Sequence, residues 1–232
     1  MAKKKRLIIN DGFNPELAKG AKFEGLFQFP VISPANLDKY PKYLVPFSER
    51  NKIENPAEAF VVFYEHDDNF VDIIRNPFDY IDDLKHFAGV ISPDNSVYRD
   101  IPLAAQIGNI YRNRLIGSLL QRYGILVIPN IRWGDERTYG TDLFGEAVAF
   151  VSAPKHGVVA VGCYGCIRGA DNIAHFVNGF RVMLEKLEPK MVLIYGKLPK
   201  KIIEQVRGRV KIVAYNDWTS VRHGKEPIYG EW

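Results

Sequence analysis

The spacing of apolar and polar residues changes character near Ala59. From there on, short apolar runs recur at Phe60–Tyr64, Ala88–Ser92, Ile125–Asn130, Val158–Gly162, Met191–Tyr195 and Val210–Tyr215, and they predict six buried strands. Between them the period lengthens to that of helices. Asp171 precedes Ile173, Phe176, Val177, Phe180, Leu184 and Leu187, which share one face, and Pro189 ends the segment. Leu103, Ile107, Ile110, Tyr111, Leu115 and Leu119 make a second stripe, with Asp100 as the expected cap and Gly124 as the stop.

Other connections are shorter. Asn76-Pro77 reads as a helix start, with Asn capping and Asp79, Asp82 and Asp83 near the positive helix end. Residues 200–207, followed by Gly208, form another short helix, and Thr141 through Val151 reads either as a short helix or as an extra strand. Strands joined by connections of helical length run parallel, because only tight hairpins join antiparallel neighbours economically. The expected fold is therefore α/β with a mainly parallel sheet of repeated βα units. It is TIM-barrel-like, complete or partial, or else a doubly wound sheet. No glycine-rich phosphate fingerprint follows the first strand, which favours the barrel form. Leu7–Asn10 or Leu26–Ile32 could add strands.

Residues 1–58 read as an irregular covering segment, because 11–58 is rich in Pro, Phe and Lys without sustained period. Residues 59–232 form the βα-repeat domain, and no linker separates a second one. The chain's 232 residues suffice for a sizeable core, and 47% hydrophobic and 25% charged residues suit an ordinary globular protein. The net charge of +4 owes part to Lys3, Lys4, Lys5 and Arg6, a run able to touch phosphate or RNA but read in preference as a solvated tail. No apolar stretch is long enough for a membrane span, so no membrane association and a cytoplasmic location are expected. Cys163 and Cys166 make a lone Cys-x-x-Cys pair. Without further Cys or His at metal spacing it reads as small turn residues as readily as a redox or zinc site.

In parallel α/β proteins ligands bind beyond the carboxyl ends of the strands. The loops leaving the strands here carry most of the polar residues. Asp67 or Asp68 from one loop and Asp94 from the next could form a carboxylate pair for proton transfer or oxygen ligands for a divalent metal ion; Asp94 after Pro93 is also a natural turn cap. Asn130 and Asp135 would assist. Arg112 and Arg114 could hold phosphate, though helix arginines often pack their stems on neighbours. Trp133, Tyr98 and Tyr195 offer flat walls for a base, or fill the mouth of a barrel. Of the histidines, only His66 falls at a strand end; the others are expected to be structural or exposed.

The stretches Asp67-Asp68-Asn69-Phe70, Asn76-Pro77, Ser92-Pro93-Asp94-Asn95-Ser96-Val97-Tyr98, Tyr111-Arg112-Asn113-Arg114, Ile128-Pro129-Asn130-Ile131-Arg132-Trp133 and Ile194-Tyr195-Gly196 together resemble the DUF4417 family, a domain of unknown function. The resemblance runs from about Phe60 to Gly196. It departs from the family pattern at Asn95, where Phe is favoured, and near the Cys163 and Cys166 pair, where a Ser-Thr type turn is usual. It implies a cytoplasmic protein carried by phages or mobile elements, and supplies no activity. From strand-end placement two functions are expected as competitors: a hydrolase or phosphodiester-type enzyme acting on nucleotide or nucleic acid, or a non-catalytic module that binds nucleic acid or protein.

Overall fold

The computed structural model describes residues 15–37, 39–163, 167–206 and 208–232. A short helix α1 (Pro15–Ala18) and a small antiparallel hairpin, β1 (Phe23–Glu24) with β2 (Phe29–Pro30), precede the main sheet. Then follow β3 (Tyr43–Pro46), β4 (Ala59–Val62), α2 (Val71–Arg75), α3 (Ile81–Leu84), β5 (Gly89–Ile91), α4 (Leu103–Arg122), β6 (Val127–Ile128) and α5 (Glu136–Tyr139). The chain continues through β7 (Val158–Gly162), α6 (Ala170–Leu187), β8 (Met191–Tyr195), α7 (Lys200–Val206), β9 (Lys211–Tyr215), α8 (Trp218–Arg222) and β10 (Ile228–Glu231).

Strands β3 to β6 pair in parallel, and so do β7 to β9; β10 adds an antiparallel edge. A parallel bridge at Asn130 and Ala160 links the two sets: Ile131 N donates to Ala160 O at 2.8 Å and Ala160 N to Pro129 O at 2.9 Å. Spatial order thus follows chain order, without the reversal that defines a doubly wound sheet.

Alternation along the strands sorts the core. Val61, Val90 and Val127 face α2, α3 and α4, while Val159, Val192, Ile194 and Ile212 face α6 and α7. The opposite face presents Leu44, Phe60, Val62, Ile91, Ile128, Ala160, Leu193, Val213 and Tyr215, and its buried cluster includes no helix residue. A flat sheet would leave that face in water, so its burial requires the sheet to curl on itself. Tyr64 and Tyr195 stack with ring centroids 5.1 Å apart although β4 and β8 are four positions apart in the sheet, which is roughly 19 Å when flat. Tyr215 Oη donates to Pro41 O at 2.7 Å, tying β9 to the segment that leads into β3. Among the described residues no backbone ladder joins β3 to β9 or β10, so a closed barrel is not shown.

Several expectations are corrected. Tyr43–Pro46, inside the segment read as irregular covering, is a full member of the parallel sheet. Leu26–Ile32 contributes β2 to the separate hairpin, and Leu7–Asn10 lies outside the described residues. Asn76 makes no side-chain cap; its carbonyl instead accepts from Asp79 N at 3.1 Å, opening a 3-10 turn at Pro77–Tyr80. Asp100 does not cap α4, because Pro102 occupies the cap position. Asp171 sits within the first turn of α6, behind Gly169 at φ 83°. Thr141 through Val151 forms turns, neither helix nor strand, and the helical turn of that connection is α5, capped by Asp135.

Helix α4 lies tight on the sheet because two of its residues allow it. At Gly117 a Cβ would meet Ser92 Cβ at 2.7 Å and Ile32 Cδ1 at 2.5 Å. Arg114, 1% exposed, donates from Nη1 to Asn130 O (2.8 Å), from Nη2 to Ala149 O (2.9 Å) and from Nε to Val151 O (3.3 Å). Burial pushes its pKa down to about 10, so it remains charged at neutral pH.

We predict that Gly117→Ala destabilises the fold by about 1–3 kcal/mol through overpacking. Gly108→Ala on the same helix, where nothing lies within 4 Å, should stabilise by about 0.5–1 kcal/mol. Urea unfolding of the two variants checks the opposite signs. Arg114→Met orphans three carbonyls and should cost about 3 kcal/mol or more by the same measurement.

Candidate anion site at the strand ends

Four successive loops at the carboxyl ends of β4, β5, β6 and β7 enclose a cavity of about 390 Å³. Tyr64, Glu65 and His66 come from the first loop, and Asp94 with Ser96 to Arg99 from the second. Arg132, Trp133 and Gly134 come from the third; Arg168, Asn172, His175 and Phe176 come from the fourth and from the start of α6.

The second loop is pinned from two sides. Asn113 Oδ1 on α4 accepts from Asn95 N and Nδ2, both at 2.7 Å, and Asn109 Nδ2 donates to Ser96 O at 2.6 Å. From the first loop, Asp67 accepts from Ser96 N at 3.1 Å and Ser96 Oγ at 2.9 Å. Asp94 is 6% exposed and meets the Arg132 guanidinium bidentately, through Nε at 2.7 Å and through Nη2. Asn130 Nδ2 adds a third donor to Asp94 at 2.7 Å, while Asn130 Oδ1 accepts from Tyr64 Oη at 3.1 Å. Arg132 Nη1 reaches on to Gly162 O at 3.3 Å, so one carboxylate joins the ends of β5, β6 and β7.

The expected site residues therefore divide. Asp94, Trp133 and Tyr98 line the cavity, and Asn130 and Asp67 brace it from behind. Asp68 is exposed and is not part of the cavity wall. Asp135 caps α5 through Arg137 N at 3.1 Å and is gripped by the Arg137 side chain at 2.9 and 2.7 Å. Burial works to raise its pKa, but the bonds and charge of Arg137 prevail and lower it. Arg112 contacts Asn109 Oδ1 on α4, and Arg114 is engaged by carbonyls; neither borders the cavity. Tyr195 stacks on Tyr64, and its hydroxyl accepts from Trp218 N at 2.9 Å. Trp133 is 7% exposed and packs between Phe176, Phe150 and Phe180, so it is a core anchor at the cavity floor more than a stacking platform.

Sequence reasoning missed Glu65, Arg99, Arg132, Arg168, Asn172 and His175 as parts of the wall. Glu65 is held by Ser48 N and Oγ and by Asn69 Nδ2. Arg99 donates from Nε to Asn172 Oδ1 at 2.9 Å, and its two terminal nitrogens have no partner among the described residues. The Arg168 guanidinium is exposed and likewise has none. The available signal was position: Arg168 directly precedes the helix that leaves a strand-end loop, and His175 stands about one turn into it. Cys163 is buried, and Cys166 lies outside the described residues.

The acids of the wall are all bonded, whereas the terminal nitrogens of Arg99 and the guanidinium of Arg168 have no partner among the described residues, so the cavity favours an anion. Among the described residues no three His, Cys, Asp or Glu groups gather as a metal site, so the expected divalent metal has no such cluster there. No helix of the described residues is long and apolar enough to cross a membrane.

Comparison with known proteins agrees with a phage context. The chain is 26% identical over 174 residues to the Gene 1 protein of Mycobacterium phage L5, covering 74% of this chain and 72% of that protein. It is 28% identical over 136 residues to the Gene 1 protein of Mycobacterium phage D29, covering 59% of this chain and 48% of that one, about half its length. No solved structure matches. The model of a domain of unknown function, DUF4417, matches residues 21–216, further in both directions than the motifs alone suggested, and the chain belongs to that phage-associated family.

Proposed function

We propose that the strand-end cavity binds a phosphate ester that carries a base, either a nucleotide or a segment of nucleic acid. The observation that carries this reading is the pair of arginines on the wall of a 390 Å³ cavity, Arg99 with its two terminal nitrogens and Arg168 with its whole guanidinium unpartnered among the described residues. Guanidinium forks match phosphate oxygens, and a cavity of this volume suits a small ligand. Asn172 braces Arg99, and the Tyr98 ring, 58% exposed at the rim, offers a face for a base.

The same geometry weakens the expectation of a hydrolase built on Asp67, Asp94 and Asp135. A general base needs a lone pair ready to take a proton, whereas these carboxylates already accept from Ser96, Arg132 and Arg137. These three carboxylates are therefore better read as braces of the cavity than as its acid–base groups. Sequential parallel order and an inner core without helix residues support reading the molecule as one TIM-barrel-like domain, closed by side chains such as Tyr215 in place of a backbone ladder.

Calorimetric titration with nucleoside 5′-monophosphates and with short single-stranded DNA and RNA should show binding that weakens with salt. Saturation by mononucleotides points to a free ligand; binding of oligonucleotides alone points to nucleic acid. Arg99→Ala and Arg168→Ala should each weaken binding by about tenfold or more, as expected for charge-assisted hydrogen bonds. Absence of binding across the panel, or unchanged affinity in both variants, contradicts the reading.

A further inference from the structure

We infer that His175 is a proton-transferring catalytic residue, so that the cavity cleaves the phosphate ester it holds. This rests on the phosphate-ester reading above and adds chemistry to it. His175 is 25% exposed and borders the cavity from α6. Its Nδ1 faces two oxygens from α5, Tyr139 Oη at 3.1 Å and Glu136 Oε2 at 3.4 Å. Its backbone carbonyl accepts from Trp133 Nε1 at 3.2 Å, which fixes the height of the imidazole above the cavity floor. A carboxylate and a hydroxyl on Nδ1 favour the tautomer protonated there, which leaves the lone pair on Nε2. Nε2 has no hydrogen-bond partner among the described residues.

An imidazole held on one nitrogen by an oxygen pair, on the wall of a cavity that Arg99 and Arg168 also line, is an arrangement suited to general-base chemistry. The acids of the wall are bonded, so His175 is a group with a basic lone pair to offer. In the step, a water oxygen bonds to phosphorus while Nε2 takes one of its protons. The phosphorus–oxygen bond to the leaving group breaks with its electron pair, and the leaving oxygen takes a proton from solvent. The imidazolium returns its proton to solvent. Water and a phosphodiester become a phosphomonoester and an alcohol, and Arg99 and Arg168 offset charge on the equatorial oxygens. Glu136 and Tyr139 act as positioning residues.

The test pairs turnover with affinity in the full chain, using bis(p-nitrophenyl) phosphate and the p-nitrophenyl ester of thymidine 5′-monophosphate with EDTA present. The wild-type chain should release p-nitrophenol. His175→Gln should lower kcat by about 100-fold while affinity stays within threefold. Glu136→Gln should lower kcat at unchanged KM, the split expected of a positioning role. Binding without turnover, or a His175→Gln variant that turns over like wild type, overturns the inference and leaves the binding reading standing. Absence of binding overturns both.

Discussion

The rim of the molecule depends on one buried carboxylate. Asp94 sits at the carboxyl end of β5, yet its partners belong to the next strand, and through Arg132 its reach extends to Gly162 at the end of β7. A buried acid of this kind is tolerable because three donors satisfy it, and removing one partner would leave an uncompensated charge. Three separate parallel strands are thereby locked at one end in a fixed relation. The loops that rise from them then hold their side chains in one arrangement instead of many.

This lock also decides the sign of the cavity. Each acid near the wall has been matched within the protein: Asp94 to Arg132, Asp67 to Ser96, Glu65 to Ser48, Asp135 to Arg137. Arg99, Arg132 and Arg168 face Glu65 and Asp94 on the wall, and electrostatic preference follows from that excess of cations rather than from the modest net charge. Arg137 even helps present Arg99, donating to its carbonyl at 2.9 Å. The curl of the sheet contributes the rest. Tyr64 crosses the inner face so closely that a Cβ at Gly162 would meet its ring at 2.3 Å, which gives the cavity a firm base.

Much of this was legible in the sequence, and the gaps have physical causes. The strands at Val158–Gly162 and Met191–Tyr195 were read to the residue because buried parallel strands are continuous apolar runs. Tyr43–Pro46 escaped because four residues ending in proline carry too little periodicity to stand out from their surroundings. The caps at Asn76 and Asp100 failed because proline backbone geometry, not a side chain, sets those starts. Asp94, Asn130, Trp133 and Tyr98 lie at the rim where strand-end position puts them. What each does was hidden, because a carboxylate already paired and one ready for chemistry look identical in sequence. Arg114 and His175 show the same blindness in opposite directions: one helix residue vanishes into the core and the other borders the cavity.

Membership of a phage-associated family of unknown function leaves the chemistry of the cavity to be established by the molecule itself. The most direct measurement is a titration of the isotopically labelled protein with a nucleoside monophosphate, following the arginine Nε–Hε resonances by NMR. The account predicts that the Arg99 and Arg168 signals move and saturate together while that of buried Arg114 stays in place. Signals that remain still at Arg99 and Arg168, or that move chiefly at arginines remote from the four loops, would contradict it.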